Sequence, residues 1–287
     1  MLLAVTEPDP IASLPPLREA IKAAGLSAKK SLGQNFLLDL NIARRIARAA
    51  GPLKGVTVLE IGPGPGGLTR ALLLEGATRV IAVERDERFK STLEHLEEYS
   101  GGRLKVLFQD ALQINYDVLS AQQRVQRVIA NLPYNIGTAL ILGWLTEERW
   151  PPWFDKLAVM VQREVGERLI AAAGTKNYGR LAVLAQFRGQ PRILFTLPPS
   201  VFVPPPKVSS ALVEFTPRIE PGAVPIKLLE KLTAAAFGQR RKMLRSSLAG
   251  ISQNPAVLLQ RSDIDPSRRA QELSVDEFAR LATTLAR

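Results

Sequence analysis

The chain has 287 residues, 46% of them apolar, enough for one large domain or a large and a small one around a real core. It has no cysteine and one histidine, His95, which excludes zinc–cysteine sites, iron–sulfur clusters, thiol nucleophiles and any serine–histidine mechanism that does not run through His95. Net charge is +11, and fourteen Lys and Arg against five Glu fall between Gln162 and Arg245, the electrostatic footprint of a nucleic-acid surface.

No apolar run approaches the roughly 20 residues that span a membrane, and the start carries Glu7 and Asp9 without a basic stretch before an apolar one. A cytoplasmic protein is the expectation. Aromatic residues make up only 6%, too few for a broad single-strand stacking platform. His95 sits in the charged helical stretch Thr92 to Glu98 and reads as a surface residue.

Residues 1–16 are proline-rich and are expected to be loosely ordered, with Leu17 to Ala24 the first helix, ended by Gly25. Lys29 to Leu37 has two amides beside a glycine and no periodicity, so it reads as a functional loop. Asp39 caps a helix whose apolar positions Ile42, Ile46 and Ala49 keep helical spacing until Gly51-Pro52. From there strands and helices alternate. The predicted strands are Val56–Gly62, Val80–Glu84, Leu104–Phe108, Val128–Asn131 and Leu157–Val161, and the predicted helices Leu68–Leu74, Phe89–Tyr99 and Thr138–Thr146. This pattern of apolar, β-branched strands implies an α/β fold with a parallel sheet covered by helices on both faces. Further on, Ser274-Val275-Asp276-Glu277 is a capping box that starts a last, structural helix.

The marked polar residues fall at strand carboxyl ends, where open α/β sheets bind ligands. Gly62-Pro63-Gly64-Pro65-Gly66-Gly67 satisfies the dinucleotide fingerprint, and Glu84, 22 residues after Gly62, stands where a ribose-binding acid belongs. At this point a nicotinamide enzyme and an ordinary glycine turn are both open. Asn131-Leu132-Pro133-Tyr134 narrows the choice. Asn131 can accept through its side-chain oxygen, Leu132 through its carbonyl, and Tyr134 offers a ring face, a set suited to a planar amine whose lone pair must be drawn out of conjugation. A hydride-transfer enzyme would need an acid–base partner that this tetrapeptide does not supply.

Taken together, Glu60 to Thr69, Glu84, Gln109-Asp110-Ala111 and Asn131-Leu132-Pro133-Tyr134 resemble the successive motifs of S-adenosylmethionine-dependent adenine dimethyltransferases that act on ribosomal RNA. Gly33-Gln34-Asn35-Phe36-Leu37 is similar to that family's upstream motif. Phe202 to Ser210 looks like its loop after the catalytic sheet, and Phe237 to Leu244 like the basic helix of its small carboxyl-terminal domain. The similarity runs from about residue 15 to 285. Asn-Leu-Pro-Tyr is more like the housekeeping small-subunit enzyme than the antibiotic-resistance enzymes, while Ile136-Gly137-Thr138-Ala139 departs from the commoner Ser-Thr-Pro.

The resemblance implies a Rossmann-like catalytic domain over residues 1–218 and a small helical RNA-binding domain over 219–287. Glu84 would bind the cofactor ribose, Asp110 the adenine amine, and Gln34, Asn35, Leu37, Gly62 and Gly64 the remainder, with Asn131 touching both cofactor and target. Asn131, Leu132 and Tyr134 would form the catalytic centre, and Phe202 would either close the other face of a flipped adenine or, in the apolar triplet Val201-Phe202-Val203, pack in the core. Arg240, Arg241 and Lys242 on a helix, with Lys207, would meet RNA phosphates. No metal is implied. The implied substrate is two neighbouring adenosines near the 3′ end of 16S rRNA in an immature small subunit, met by a monomer. A non-catalytic assembly factor on the same fold is the rival reading.

Overall fold

The computed structural model describes residues 9–222 and 224–287. Of the amino-terminal stretch expected to be loosely ordered, residues 1–8 lie outside the described residues, and 9–16 are held in place. Asp9 caps a short 3-10 turn, Pro10–Ser13, by accepting from the Ile11 N–H at 3.0 Å, and its carboxylate also pairs with Arg103 at 2.8 Å. Ile11 reaches the main core, and Arg70 donates to the Pro15 carbonyl at 2.6 Å. One buried isoleucine and two arginine contacts are a tertiary effect that proline-rich composition conceals.

In chain order the elements are α1 (Leu17–Ala23), β1 (Phe36–Leu37), α2 (Leu40–Ala49), β2 (Thr57–Ile61), α3 (Gly67–Leu74), β3 (Arg79–Glu84), α4 (Lys90–Tyr99), β4 (Leu104–Phe108), α5 (Tyr116–Gln123), β5 (Arg127–Asn131) and α6 (Gly137–Leu145). They continue with β6 (Lys156–Gln162), α7 (Arg163–Leu169), α8 (Arg180–Arg188), β7 (Gly189–Leu197), β8 (Phe202–Val203), β9 (Ser210–Pro217), α9 (Ile226–Gly238), α10 (Leu244–Ser247), α11 (Pro255–Arg261) and α12 (Val275–Leu285). The expected Asp39 cap is present, accepting from the Asn41 N–H at 2.8 Å, and so is the Ser274–Glu277 capping box.

Seven strands form one sheet in the order β4-β3-β2-β5-β6-β9-β7. The five predicted strands pair in parallel, β4 with β3, β3 with β2, β2 with β5 and β5 with β6. Here the structure adds to the sequence reading: β9 and β7 extend one edge and make the sheet mixed. β1 and β8 form a separate two-residue antiparallel ladder, Phe36 opposite Val203 and Leu37 opposite Phe202. Chain order reverses beside β2, whose neighbours are β3 on one side and β5 on the other. The carboxyl ends of those three strands therefore open onto a crevice at the point where the order switches.

Two compact units divide the chain. The first comprises residues 1–137, 153–162 and 194–214, and its core runs through Ile46, Val58, Leu72, Val80, Ile129, Met160 and Leu212. Ile46 is fully buried on α2, so truncating it to alanine costs about 2–5 kcal/mol by the transfer and cavity terms. The second comprises residues 138–152, 163–193 and 215–287, so α7, α8 and all but the first residue of α6 go with the carboxyl-terminal helices. Its core gathers Tyr178, Phe187, Leu229, Leu232, Leu244, Phe278 and Leu281. Residues 181–185 of α8 are all buried, which a one-faced helix pattern would not reveal.

Candidate active site

The crevice at the ends of β2, β3 and β5 is lined by the upstream loop, the glycine loop, Glu84, Asp110 and the Asn131 tetrapeptide, all within the first unit. Gly62 closes β2 against the tetrapeptide: a Cβ there would stand 3.1 Å from the Pro133 ring. With φ at +68° as well, glycine lets the two loops meet without strain or displacement of that ring.

Glu84, 6% exposed, ends β3 with both carboxylate oxygens engaged. Oε2 accepts from the Gly64 N–H at 2.9 Å, and Oε1 accepts from the Arg85 and Asp86 N–H groups at 2.8 Å each. Burial pushes this carboxyl up, against the pull of those three donors. A carboxylate offers about four acceptor positions, so three donors leave room for one direct hydroxyl bond rather than a free bidentate clasp of a diol.

Glu60 is the site residue that sequence reasoning passed over as a separate candidate. It is 1% exposed, lines the crevice and accepts from the Thr69 hydroxyl at 2.7 Å. Burial, with the neighbouring Glu84 charge adding to it, pushes its carboxyl to about 8. Its signal in the sequence was an acid inside an otherwise apolar strand end.

Asp110 spends Oδ1 on the Leu112 N–H at 3.0 Å, and its Oδ2 meets Arg85 at 3.1 Å. Arg85 is two-thirds exposed, so that pair is worth at most about 1 kcal/mol and yields easily to a better donor. Gln34 has both ends of its amide in use: Oε1 accepts from the Lys29 N–H at 2.8 Å and Nε2 donates to Asp86 at 2.9 Å. Arg88, as hydrogen-bond donor, holds the Asp86 carboxyl down at about 2. Gln34 thus fastens the upstream loop beside Glu84, and what it shows the crevice is its position rather than a free amide. Leu37 lines the crevice from a buried position, and Asn35 contributes its backbone.

Asn131 is fixed by that backbone. Its Nδ2 donates to the Asn35 carbonyl at 3.0 Å. A carbonyl only accepts, so the amide nitrogen must face Asn35, which leaves Oδ1 as the acceptor at the crevice. After it, the Ile136 and Gly137 N–H groups both turn back to the Pro133 carbonyl, at 3.1 and 2.9 Å. Neither is spent on Leu132, whose carbonyl takes no hydrogen bond among the described residues. Two acceptors therefore stand in sequence beside the half-buried Tyr134 ring.

Three expectations differ from the structure. Phe202 is 2% exposed, paired with Leu37 and packed in the main core, so its ring is not at the crevice. Arg240, Arg241 and Lys242 are not on a helix: α9 ends at Gly238, and the three occupy the turn before α10. Arg240 is moreover engaged, its Nε donating to Gln271 at 3.1 Å and its Nη2 to the Lys176 carbonyl at 2.7 Å. Arg241, Lys242 and Lys207 are exposed.

S-adenosylmethionine, the cofactor expected from the sequence, offers hydroxyl and amine donors and carries positive charge. The lining answers with acceptors, Glu60, Glu84 and Asp110, against Arg85 as the single basic side chain among the described lining residues. A dinucleotide fits worse, because its pyrophosphate would need the Gly64 N–H that Glu84 already holds. Among the described residues no cluster of three metal-binding side chains occurs.

A sheet that switches order over an acid-lined crevice, beside an amide–proline–aromatic strand end, defines a Rossmann-like methyltransferase. The ribosomal RNA adenine dimethylase family model matches residues 25–287. The chain belongs to that family. It is 56% identical to ribosomal RNA small subunit methyltransferase A of Xanthobacter autotrophicus over 273 residues, 95% of this chain and 94% of that one. A dimethyladenosine transferase from Plasmodium falciparum shares the fold at TM-score 0.71 and 25% identity, over 85% of this chain and 94% of that one. The 23S rRNA methyltransferase ErmE does so at TM-score 0.61 and 25% identity, over 88% and 100%.

Proposed function

We propose that this chain transfers methyl groups from S-adenosylmethionine to the exocyclic N6 of two adjacent adenosines near the 3′ end of 16S rRNA, giving N6,N6-dimethyladenosine during small-subunit assembly. The observation that carries the reading is the fixed Asn131 amide, whose oxygen, with the Leu132 carbonyl, supplies two acceptors for one amine.

Bound S-adenosylmethionine supplies a methyl group that is already electrophilic on a sulfonium. The protein's work is alignment. Asn131 Oδ1 and the Leu132 carbonyl accept from the amine and draw its lone pair out of the adenine ring. Tyr134 stacks on the flipped base. Glu84 would take a ribose hydroxyl and Asp110 the cofactor's adenine amine, with the buried Glu60 close by. The amine proton leaves to water after attack, so no side chain acts as general base.

Arg241, Lys242 and Lys207 meet RNA phosphates, while Arg240 braces the turn that presents its neighbours. The enzyme works as a cytoplasmic monomer on an immature small subunit and without a metal. The test is methyl transfer from tritiated cofactor to undermethylated small subunits, followed by digestion to nucleosides. Label in N6,N6-dimethyladenosine is expected; label confined to ribose or to another base would overturn the assignment.

A further inference from the structure

We infer that Ser210 is a positioning residue for the target base, acting through the hydroxyl of Tyr134. The inference rests on the reading that Tyr134 stacks on that base. Ser210 is the first residue of β9, wholly buried, and its hydroxyl is hydrogen-bonded to the Tyr134 hydroxyl across 76 residues of chain. This is the one side-chain hydrogen bond that Tyr134 makes among the described residues.

The tyrosine needs such an anchor. It lies in the turn between β5 and α6, where the backbone bonds close on Pro133, so neither a helix nor a strand sets where its ring lies. A tyrosine side chain has two torsions, and a bond at its far end fixes the first, which sets where the ring lies; the second only turns the ring about the axis that passes through the bonded oxygen. A ring fixed before the base arrives spares binding the cost of ordering it. Ser210 ends the Pro-Pro-Lys-Val-Ser-Ser run, which otherwise has no assigned task at its carboxyl end. A serine this buried would in any case need a partner, and the structure gives it the hydroxyl of Tyr134, whose ring lines the crevice.

The test is a double-mutant cycle in steady-state methylation of undermethylated small subunits, with cofactor affinity followed by calorimetry. Ser210→Ala should raise KM for RNA about two- to tenfold, the range of one net hydrogen bond, while kcat and cofactor Kd stay within about twofold. Tyr134→Phe keeps a stacking ring but removes the hydroxyl, and should give the same rise. The double variant should be no worse than either single. An effect of Ser210→Ala that persists in the Tyr134→Phe background marks a merely structural serine and overturns the inference, as does an unchanged KM. Tyr134→Ala separates the two levels. If it raises KM and Ser210→Ala does not, this inference alone falls; if it leaves KM unchanged, the stacking reading falls and takes the inference with it.

Discussion

The Asn131 side chain donates to the Asn35 backbone carbonyl at 3.0 Å, joining residues 96 apart, and that bond decides which end of the amide can receive a substrate amine. Removing it should damage chemistry more than binding. Asn131→Ala is expected to lower kcat about 10²-fold or more, as when a positioned polar group at a reacting centre is lost, with a much smaller loss of cofactor affinity. Asn131→Asp should do no better, because a carboxylate cannot donate to Asn35 and would face its carbonyl oxygen. His95 is exposed on α4, paired loosely with Glu98 at 3.8 Å, so His95→Ala should be nearly silent. Single-turnover methylation with saturating cofactor measures all three; a wild-type rate in Asn131→Ala would refute the mechanism.

Glu84 holds the ends of two loops through its Gly64, Arg85 and Asp86 donors, so its loss should be felt in cofactor binding. Glu84→Ala should weaken S-adenosylmethionine by about 1.5–3 kcal/mol, the range for a hydrogen bond to a charged group. Calorimetric titration decides, and unchanged affinity would remove Glu84 from the cofactor site.

Glu60 predicts a pH dependence with a definite sign. Its folded pKa of about 8 lies above the ordinary 4.5, so the folded state holds the proton more tightly than the unfolded chain. The stability it contributes is complete below about 4.5 and is lost as pH rises to about 8. Asp86, held down at about 2, acts in a lower window and in the opposite sense; Glu84, also raised, slopes the same way as Glu60. Glu60→Gln should therefore flatten, without abolishing, the fall in urea-unfolding stability between pH 5 and 8. Cofactor binding should release protons over the same range, because a cation favours the ionised carboxylate. Identical wild-type and Glu60→Gln slopes would show that Glu60 does not titrate there.

Much of this site was legible because its chemistry is local in sequence. Gly62 to Gly67, Glu84 and Asn131 each sit at the end of an apolar strand, so period and punctuation find them together. Asp39 and the Ser274–Glu277 box could be read for the same reason, as caps whose partners lie two or three residues away. What escaped was set by distant partners. Arg240 looked like a phosphate contact beside two other cations, yet its acceptors are Gln271 and Lys176, 31 and 64 residues away. Phe202, in an apolar triplet, left a core place open, but the partner that closes it in, Leu37, lies 165 residues away in sequence. β7 reads Gly-Gln-Pro-Arg at its start and carries no alternating stripe, so its place at a sheet edge follows from the fold alone.

The same contrast predicts how the basic turn divides its labour. Arg241→Ala with Lys242→Ala should leave stability within about 0.5 kcal/mol, as expected for exposed side chains, and flatten the plot of log K for RNA against log salt. The expected change is roughly 0.7–0.9 per lost phosphate contact. Arg240→Ala should instead lower the unfolding midpoint, since it leaves the Gln271 side chain and the Lys176 carbonyl without that donor. Its own effect on the salt slope should be small. Filter binding across a salt series and thermal denaturation separate the two; a slope that changes only in Arg240→Ala would exchange the roles.

Gly33 links the upstream loop to the catalytic tetrapeptide mechanically. Its φ is +65°, and a Cβ there would stand 2.8 Å from the Asn135 Oδ1 and 3.1 and 3.2 Å from the backbone nitrogens of Asn135 and Tyr134. The Asn135 side chain can turn away; the backbone can only shift, and it would carry Tyr134 with it. Gly25 is a built-in control, with φ of +62° and nothing within 4 Å of the place a Cβ would take. Both alanine variants bear the same left-handed strain of about 1–2 kcal/mol, seen as similar drops in stability. Only Gly33→Ala adds displacement of the ring and amide that hold the base. It should therefore lower kcat at least tenfold while Gly25→Ala methylates at nearly the wild-type rate, since misplacing reacting groups by about 1 Å can cost on the order of 10²-fold. Equal rates in two equally destabilised variants would mean that the upstream loop does not set the position of Tyr134.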